Sequence, residues 1–133
     1  MNEMAGESIL IIDDNATNSK LAAFVLQRGQ FEVRTAADAK EARAAIAQAP
    51  PALILMDLQL PGIDGLSFTR ELKADPATRG IVIVALTAYA MKGDEERARA
   101  AGADGYVSKP IETRTFAATV AELLAKGTKQ SSS

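Results

Sequence analysis

The sequence predicts an α/β domain, a doubly wound parallel sheet of five strands flanked by five helices. Three observations predict it. Short runs that are apolar at every position, rather than at alternate ones, suit strands buried on both faces. These runs alternate with stretches of helical periodicity, which gives five βα units in a row. The length, 133 residues, suits one domain with a core of its own.

Each element has its own signal. Ser8 to Ile12 is apolar after its first residue and opens the sheet. Thr17 to Arg28 is helical, with Leu21, Phe24 and Val25 on one face and Gly29 where a C-cap belongs. Phe31 to Thr35 is a weaker strand. Asp38 is a natural N-cap for the Ala-rich helix from Asp38 to Ala49. Ala52 to Met56 and Ile81 to Leu86 are strands of the fully buried kind, and Leu66 to Ala74 between them pairs Phe68 with Leu72. Asp94 to Ala101 is charged nearly all round, so it is expected to be the least firmly packed helix. Gly105 to Val107 supplies a short last strand. Thr113 to Lys126 places Phe116, Val120, Leu123 and Leu124 on one helical face, with Gly127 as the expected C-cap. The domain is thus expected over 8–126, with 1–7 and the Ser-rich 127–133 disordered.

Composition narrows the chemistry. The chain has no Cys and no His. Disulfides, thiolate or imidazole metal sites and histidine general bases are therefore excluded. Proton or phosphoryl chemistry must run through carboxylates, hydroxyls and amines. A formal charge of −2, from 15 basic and 17 acidic residues, is no footprint for nucleic acid. No apolar run is long enough to span a bilayer, and the first eight residues lack the pattern of a signal peptide, so a cytoplasmic protein is expected.

The polar residues that interrupt this pattern fall at strand ends. Asp13 and Asp14 follow the first strand, Asp57 the third, Thr87 the fourth and Lys109 the fifth. In a parallel sheet all these positions share one edge, where ligands of doubly wound folds bind. Three converging carboxylates repel unless a cation intervenes, and a hard divalent ion with oxygen ligands such as Mg²⁺ suits them. A carboxylate can also be a nucleophile that forms an acyl phosphate. Thr87 and Lys109 could then hold phosphoryl oxygens. Each residue also has a plainer reading. Asp13 and Asp14 could cap a helix, Asp57 could cap the loop before Pro61-Gly62, Thr87 could close a turn, Lys109 could be solvated, and Gly62 and Gly65 could serve turns alone.

Taken together, Asp13-Asp14, Asp57, Thr87 and Lys109-Pro110 resemble the receiver domains of two-component response regulators. The surrounding text matches as well: IDDNATNSKL, LILMDLQLPGIDG and ALTAYAMKGDEERARAAGADGYVSKPI. The resemblance covers about Ser8 to Lys126 and is strongest to single-domain, DivK-like members. It implies a CheY-like, flavodoxin-like sheet of strand order 2-1-3-4-5. Asp57 would be the phosphoacceptor. Asp14, Asp57 and the backbone carbonyl of Gln59 would ligate Mg²⁺ (with Mn²⁺ as a substitute), and Asp13 would act through a metal-bound water. Thr87 and Lys109 would bind the phosphoryl group, Thr87 and Tyr106 would form the switch, and the Lys109–Pro110 peptide would be cis. For Tyr106, simple packing on its strand is the alternative.

The implied activity is that of a switch that assists its own phosphorylation and dephosphorylation, not of a turnover enzyme. Its partners would be a histidine kinase or histidine phosphotransfer protein, and a downstream regulatory protein or kinase. Nucleic acid and membrane are not among them, and the unphosphorylated form is expected to be a monomer. Seven residues follow Lys126, so output is expected through binding at the fourth helix, fifth strand and fifth helix, or through onward phosphoryl transfer. An aspartate-nucleophile phosphatase would need a second Asp where Gln59 stands. A nucleotide or flavin site would need a glycine-rich anion loop where Asp13-Asp14 stands.

Overall fold

The computed structural model describes residues 7–60, 62, 64–87, 93–108 and 111–132, with the backbone alone at 94 and 126–132. Five strands, β1 (Ser8–Ile12), β2 (Glu32–Ala36), β3 (Leu53–Asp57), β4 (Val82–Thr87) and β5 (Gly105–Ser108), form one sheet in the order β2-β1-β3-β4-β5. Every pairing in it is parallel. The helices α1 (Ala16–Arg28), α2 (Ala39–Gln48), α3 (Gly65–Ala74), α4 (Asp94–Ala100) and α5 (Phe116–Ser132) connect or follow the strands. The expected class and strand order are those observed.

The strands are apolar throughout because both faces are covered. Leu10, Ile12, Ile54, Met56 and Ile83 face α2 and α3, where they meet Ala42, Ile46, Phe68 and Leu72. Ile9, Ile11, Leu53, Leu55, Val82 and Val84 face the other way, onto Ala22 and Leu26 of α1 and Phe116, Val120 and Leu124 of α5. Each such side chain contributes roughly 1.5–3 kcal/mol when fully buried. The edge strand β2 is tied down by Arg34, whose guanidinium donates to the carbonyls of Ala45 (2.9 Å) and Ala49 and so satisfies the C-terminal end of α2. On the opposite helix surface, Arg43 grips Glu71 at 2.7 Å and lies 4.9 Å over the Phe68 ring, linking α2 to α3. The Glu71 hydrogen bond raises the Arg43 pKa and holds its charge still more firmly.

Three expectations need correction. First, α1 does not turn the face of Leu21, Phe24 and Val25 to the sheet. Ser19, Ala22 and Leu26 are buried there, Val25 is partly so, and Leu21 and Phe24 are 42% and 57% exposed. Small side chains let the helix lie close to the sheet, and that selects a face the larger apolar residues do not mark. Second, Gly127 is not a C-cap. The helix starts at Phe116, after a turn at 113–115, and continues to Ser132 through the stretch read as a disordered tail. Lys and Gln are good helix formers and no proline interrupts them, which offsets the cost of about 1 kcal/mol for one interior Gly. Third, of the stretch 1–7, residues 1–6 lie outside the described residues, while the Glu7 carbonyl accepts the Glu32 N–H at 3.0 Å and extends the β1–β2 ladder.

Candidate functional site

The site is assembled by strand ends. β1 stops at Ile12, and the next residue, Asp13, is 4% exposed. Its N–H donates to the Ala36 carbonyl (3.0 Å), and its own carbonyl accepts the Ser19 hydroxyl (3.3 Å), so β2 and α1 both fix it. Its Oδ1 accepts the Asn15 N–H at 2.9 Å. Asn15, not an aspartate, is the N-cap of α1, accepting the Asn18 N–H at 3.0 Å. The capping reading of Asp13-Asp14 therefore fails, and Asp14 is left exposed in the loop.

Asp57 is the last residue of β3 rather than the first beyond it, and it is 5% exposed. Its Oδ1 accepts the Gln59 N–H at 2.9 Å. The chain then folds back: Gln59 pairs with Asp64, the Leu58 carbonyl accepts the Gly65 N–H (3.2 Å), and Asp64 caps α3 by accepting the Leu66 N–H (3.2 Å). Gly62, at φ +80, makes the turn, as expected. Gly65 does something else. A Cβ there would lie 2.5 Å from the Asp57 carbonyl oxygen and 2.7 Å from the Leu58 Cα. Only a hydrogen allows α3 to start against the backbone of Asp57. A glycine opening a helix directly after a capping Asp, where it weakens the helix, was the signal for such a contact.

Thr87 closes β4, is 2% exposed and pairs in register with Ser108. Tyr106 on β5 pairs with Ala85 and is half-buried in a small third cluster with Ala98 and Ala103, against Leu58 and Leu66. Leu58 is the neighbour of Asp57, so this cluster connects the acidic site to α4. Lys109, Pro110 and the peptide bond between them lie outside the described residues.

Asp13, Asp14 and Asp57 come together as expected. One carboxylate oxygen from each lies within 4.8 Å of the others, two of the three residues being buried. The donors are all oxygen, and the chain has no His or Cys to favour a softer metal. Such a set fits a small hard cation that takes a few carboxylates and keeps several waters, and Mg²⁺ is the fitting ion. Buried like charges this close also need compensation.

The model of the response regulator receiver domain matches residues 9–121. The chain is 41% identical over 118 residues to the polar-differentiation response regulator DivK of Brucella anthropi, covering 89% of this chain and 96% of that one. The DivK of Brucella ovis matches to the same extent. Among solved structures, CheY4 of Vibrio cholerae superposes with a TM-score of 0.83 at 26% identity, covering 90% of this chain and 99% of that one. A CheY-like receiver domain protein of Methanospirillum hungatei JF-1 gives 0.84 at 28% identity, over 95% and 99%.

Proposed function

The chain belongs to the response regulator receiver domain family, and from that premise we propose that Asp57 accepts a phosphoryl group from a phosphohistidine and that the loaded form signals by binding a partner protein. The convergence of Asp13, Asp14 and Asp57 beside Thr87 at one sheet edge carries this reading. In the transfer, a carboxylate oxygen of Asp57 attacks phosphorus in line. An O–P bond forms, the N–P bond to the donor imidazole breaks, and the electron pair leaves with that nitrogen. The attack needs Asp57 held still, and the Gln59 N–H helps to fix its carboxylate by donating to Oδ1. Asp14, Asp57 and the Gln59 carbonyl would hold Mg²⁺, with Asp13 reaching it through water; the ion supplies positive charge that offsets the acyl phosphate's. The Thr87 hydroxyl and the Lys109 ammonium would take the remaining phosphoryl oxygens.

The switch follows from the same contacts. Thr87 would move toward the new phosphoryl group and Tyr106 would turn inward, changing the face formed by α4, β5 and α5. The small apolar cluster under α4 favours this, since few contacts must be remade. Return to the ground state would be hydrolysis of the acyl phosphate, with the exposed Gln59 beside the path of the attacking water. The donor, a histidine kinase or phosphotransfer protein, would dock on α1, where Leu21 and Phe24 stand exposed. Passing the phosphoryl group onward to a second histidine is the rival output. Among the described residues no helix is long and apolar enough to cross a membrane, which agrees with a cytoplasmic switch.

Labelling with radioactive acetyl phosphate tests the acceptor. Wild type is expected to be labelled with Mg²⁺ present, and Asp57→Asn is not; persistent label on the variant would move the acceptor elsewhere. A pull-down with and without beryllofluoride then separates partner binding from relay, since only a binding output requires a partner captured in the loaded state.

A further inference from the structure

Ser19 is the polar member of the buried stripe of α1, whose other members are Ala22 and Leu26. It is 5% exposed. A hydroxyl in such a place works against folding unless it is bonded, because burial strips its water. Serine is also a poorer helix former than alanine. The acceptor of its hydroxyl lies outside the helix. Oγ donates to the main-chain carbonyl of Asp13, six positions back, at 3.3 Å.

That carbonyl belongs to the peptide that joins Asp13 to Asp14. The peptide is planar, so only the bonds flanking it rotate softly. Two other bonds act on Asp13. Its N–H, held at 3.0 Å by the Ala36 carbonyl, ties it to β2. Its Oδ1, which accepts the Asn15 N–H at 2.9 Å, closes a tight turn around Asp14. The Ser19 hydroxyl adds a bond on the peptide plane itself, from a helix packed against the sheet. Asp14 depends on that plane. It is exposed, and among the described residues none holds its side chain. Its place within 4.8 Å of the Asp13 and Asp57 carboxylates is set by the backbone that carries it.

We propose that Ser19 is a positioning residue of the acidic site: its hydroxyl fixes the Asp13–Asp14 peptide and so holds the Asp14 carboxylate where a divalent cation would meet it. The part that concerns the cation rests on the reading of Asp14 as a ligand; the part that concerns the peptide does not. An apparent Kd rises in proportion as the binding-competent arrangement becomes rarer. One neutral hydrogen bond changes such a population by roughly threefold to tenfold.

NMR and calorimetry on the full chain test this with two variants. Ser19→Ala suits a buried helical position and removes the hydroxyl, and Ser19→Thr keeps it. Without Mg²⁺, the Asp13 carbonyl carbon is read through the Asp14 amide. In Ser19→Ala it is expected to move upfield as its donor is lost, with the carbonyl signals of Ile46 and Ile83 unmoved. Calorimetry is expected to show Mg²⁺ binding to Ser19→Ala roughly threefold to tenfold more weakly than to the wild type. For Ser19→Thr, Mg²⁺ affinity is expected to follow the carbonyl signal: the wild-type value where the signal is kept, the Ser19→Ala value where it is lost. An unmoved Asp13 carbonyl in Ser19→Ala would overturn the positioning. A lower urea midpoint in Ser19→Ala with Mg²⁺ affinity unchanged would do the same, by reducing Ser19 to a structural residue. So would an affinity that falls in Ser19→Thr while the carbonyl signal stays. A wild type that binds no Mg²⁺ would sink the metal reading, while the carbonyl signal still decides whether Ser19 fixes the peptide.

Discussion

Gly65 shows how much one absent methyl group can carry. The residue is buried at the first position of α3, with the Asp57 carbonyl and the Leu58 backbone where a side chain would be. Backbone cannot rotate away as a side-chain tip can, so Gly65→Ala must push α3 and the Asp57 loop apart. Overpacking of this sort typically costs about 1–3 kcal/mol. The loss should appear as a lower urea midpoint. Mg²⁺ affinity measured by calorimetry should fall with it, because the Gln59 segment is displaced along with Leu58. Unchanged Mg²⁺ affinity would mean that the loop relaxes without disturbing the carboxylates. Asp57 itself is legible from sequence as the carboxylate ending an all-apolar run, beside the plainer reading that it caps the loop before Pro61-Gly62, where its Oδ1 does accept the Gln59 N–H. Gly65 was misread as a turn residue, because its reason is a neighbour eight positions back that only the fold brings into contact.

Among the elements, α1 departs most from its sequence pattern. Its largest apolar residue, Phe24, is exposed, and the Arg28 guanidinium lies 5.7 Å above the ring. Val25, Arg28, Gly29 and Ala117 line a groove of about 350 Å³ beside it. A substitution at such a site changes stability by less than about 0.5 kcal/mol in most proteins. Phe24→Ala is therefore expected to leave the unfolding midpoint and acetyl phosphate labelling unchanged. It should slow phosphotransfer from a cognate histidine kinase at least severalfold, as read in a phosphotransfer time course. Equal transfer rates would place the donor surface elsewhere. The helical period of α1 was plain in the sequence, but its orientation was not. Apolar periodicity identifies an amphipathic face only when the large residues are the buried ones, and here Ser19 and Ala22 are buried with Leu26 while Leu21 and Phe24 are exposed. For α4 the charged sequence correctly announced a lightly packed helix, since Ala98 is the only one of its described residues that is fully buried.

At the scale of the whole molecule, three carboxylates gathered at one sheet edge would repel one another, and the proposed Mg²⁺ would offset that repulsion. A ligand present at a hundred times its Kd stabilises the native state by about 2.7 kcal/mol. Saturating Mg²⁺ is accordingly expected to raise the urea midpoint of the wild type. Asp14→Ala should unfold later than the wild type without Mg²⁺, because a like charge is gone, and should gain little when Mg²⁺ is added. A variant that keeps the full Mg²⁺ response would show that Asp14 is no ligand. By itself the sequence determined the five βα units, the fully buried strands and the kinds of chemistry open to a chain without Cys or His. Those properties are local: they reside in runs of apolar residues and in what stands at the end of each run. Only the tertiary structure decided which carboxylates meet within 4.8 Å, which side of α1 is buried, why position 65 must be glycine, and that Lys73 reaches Asp104 across 31 positions. Each of these depends on two segments approaching from far apart in the chain, and the closeness of that approach is set by packing of the sheet and its helices.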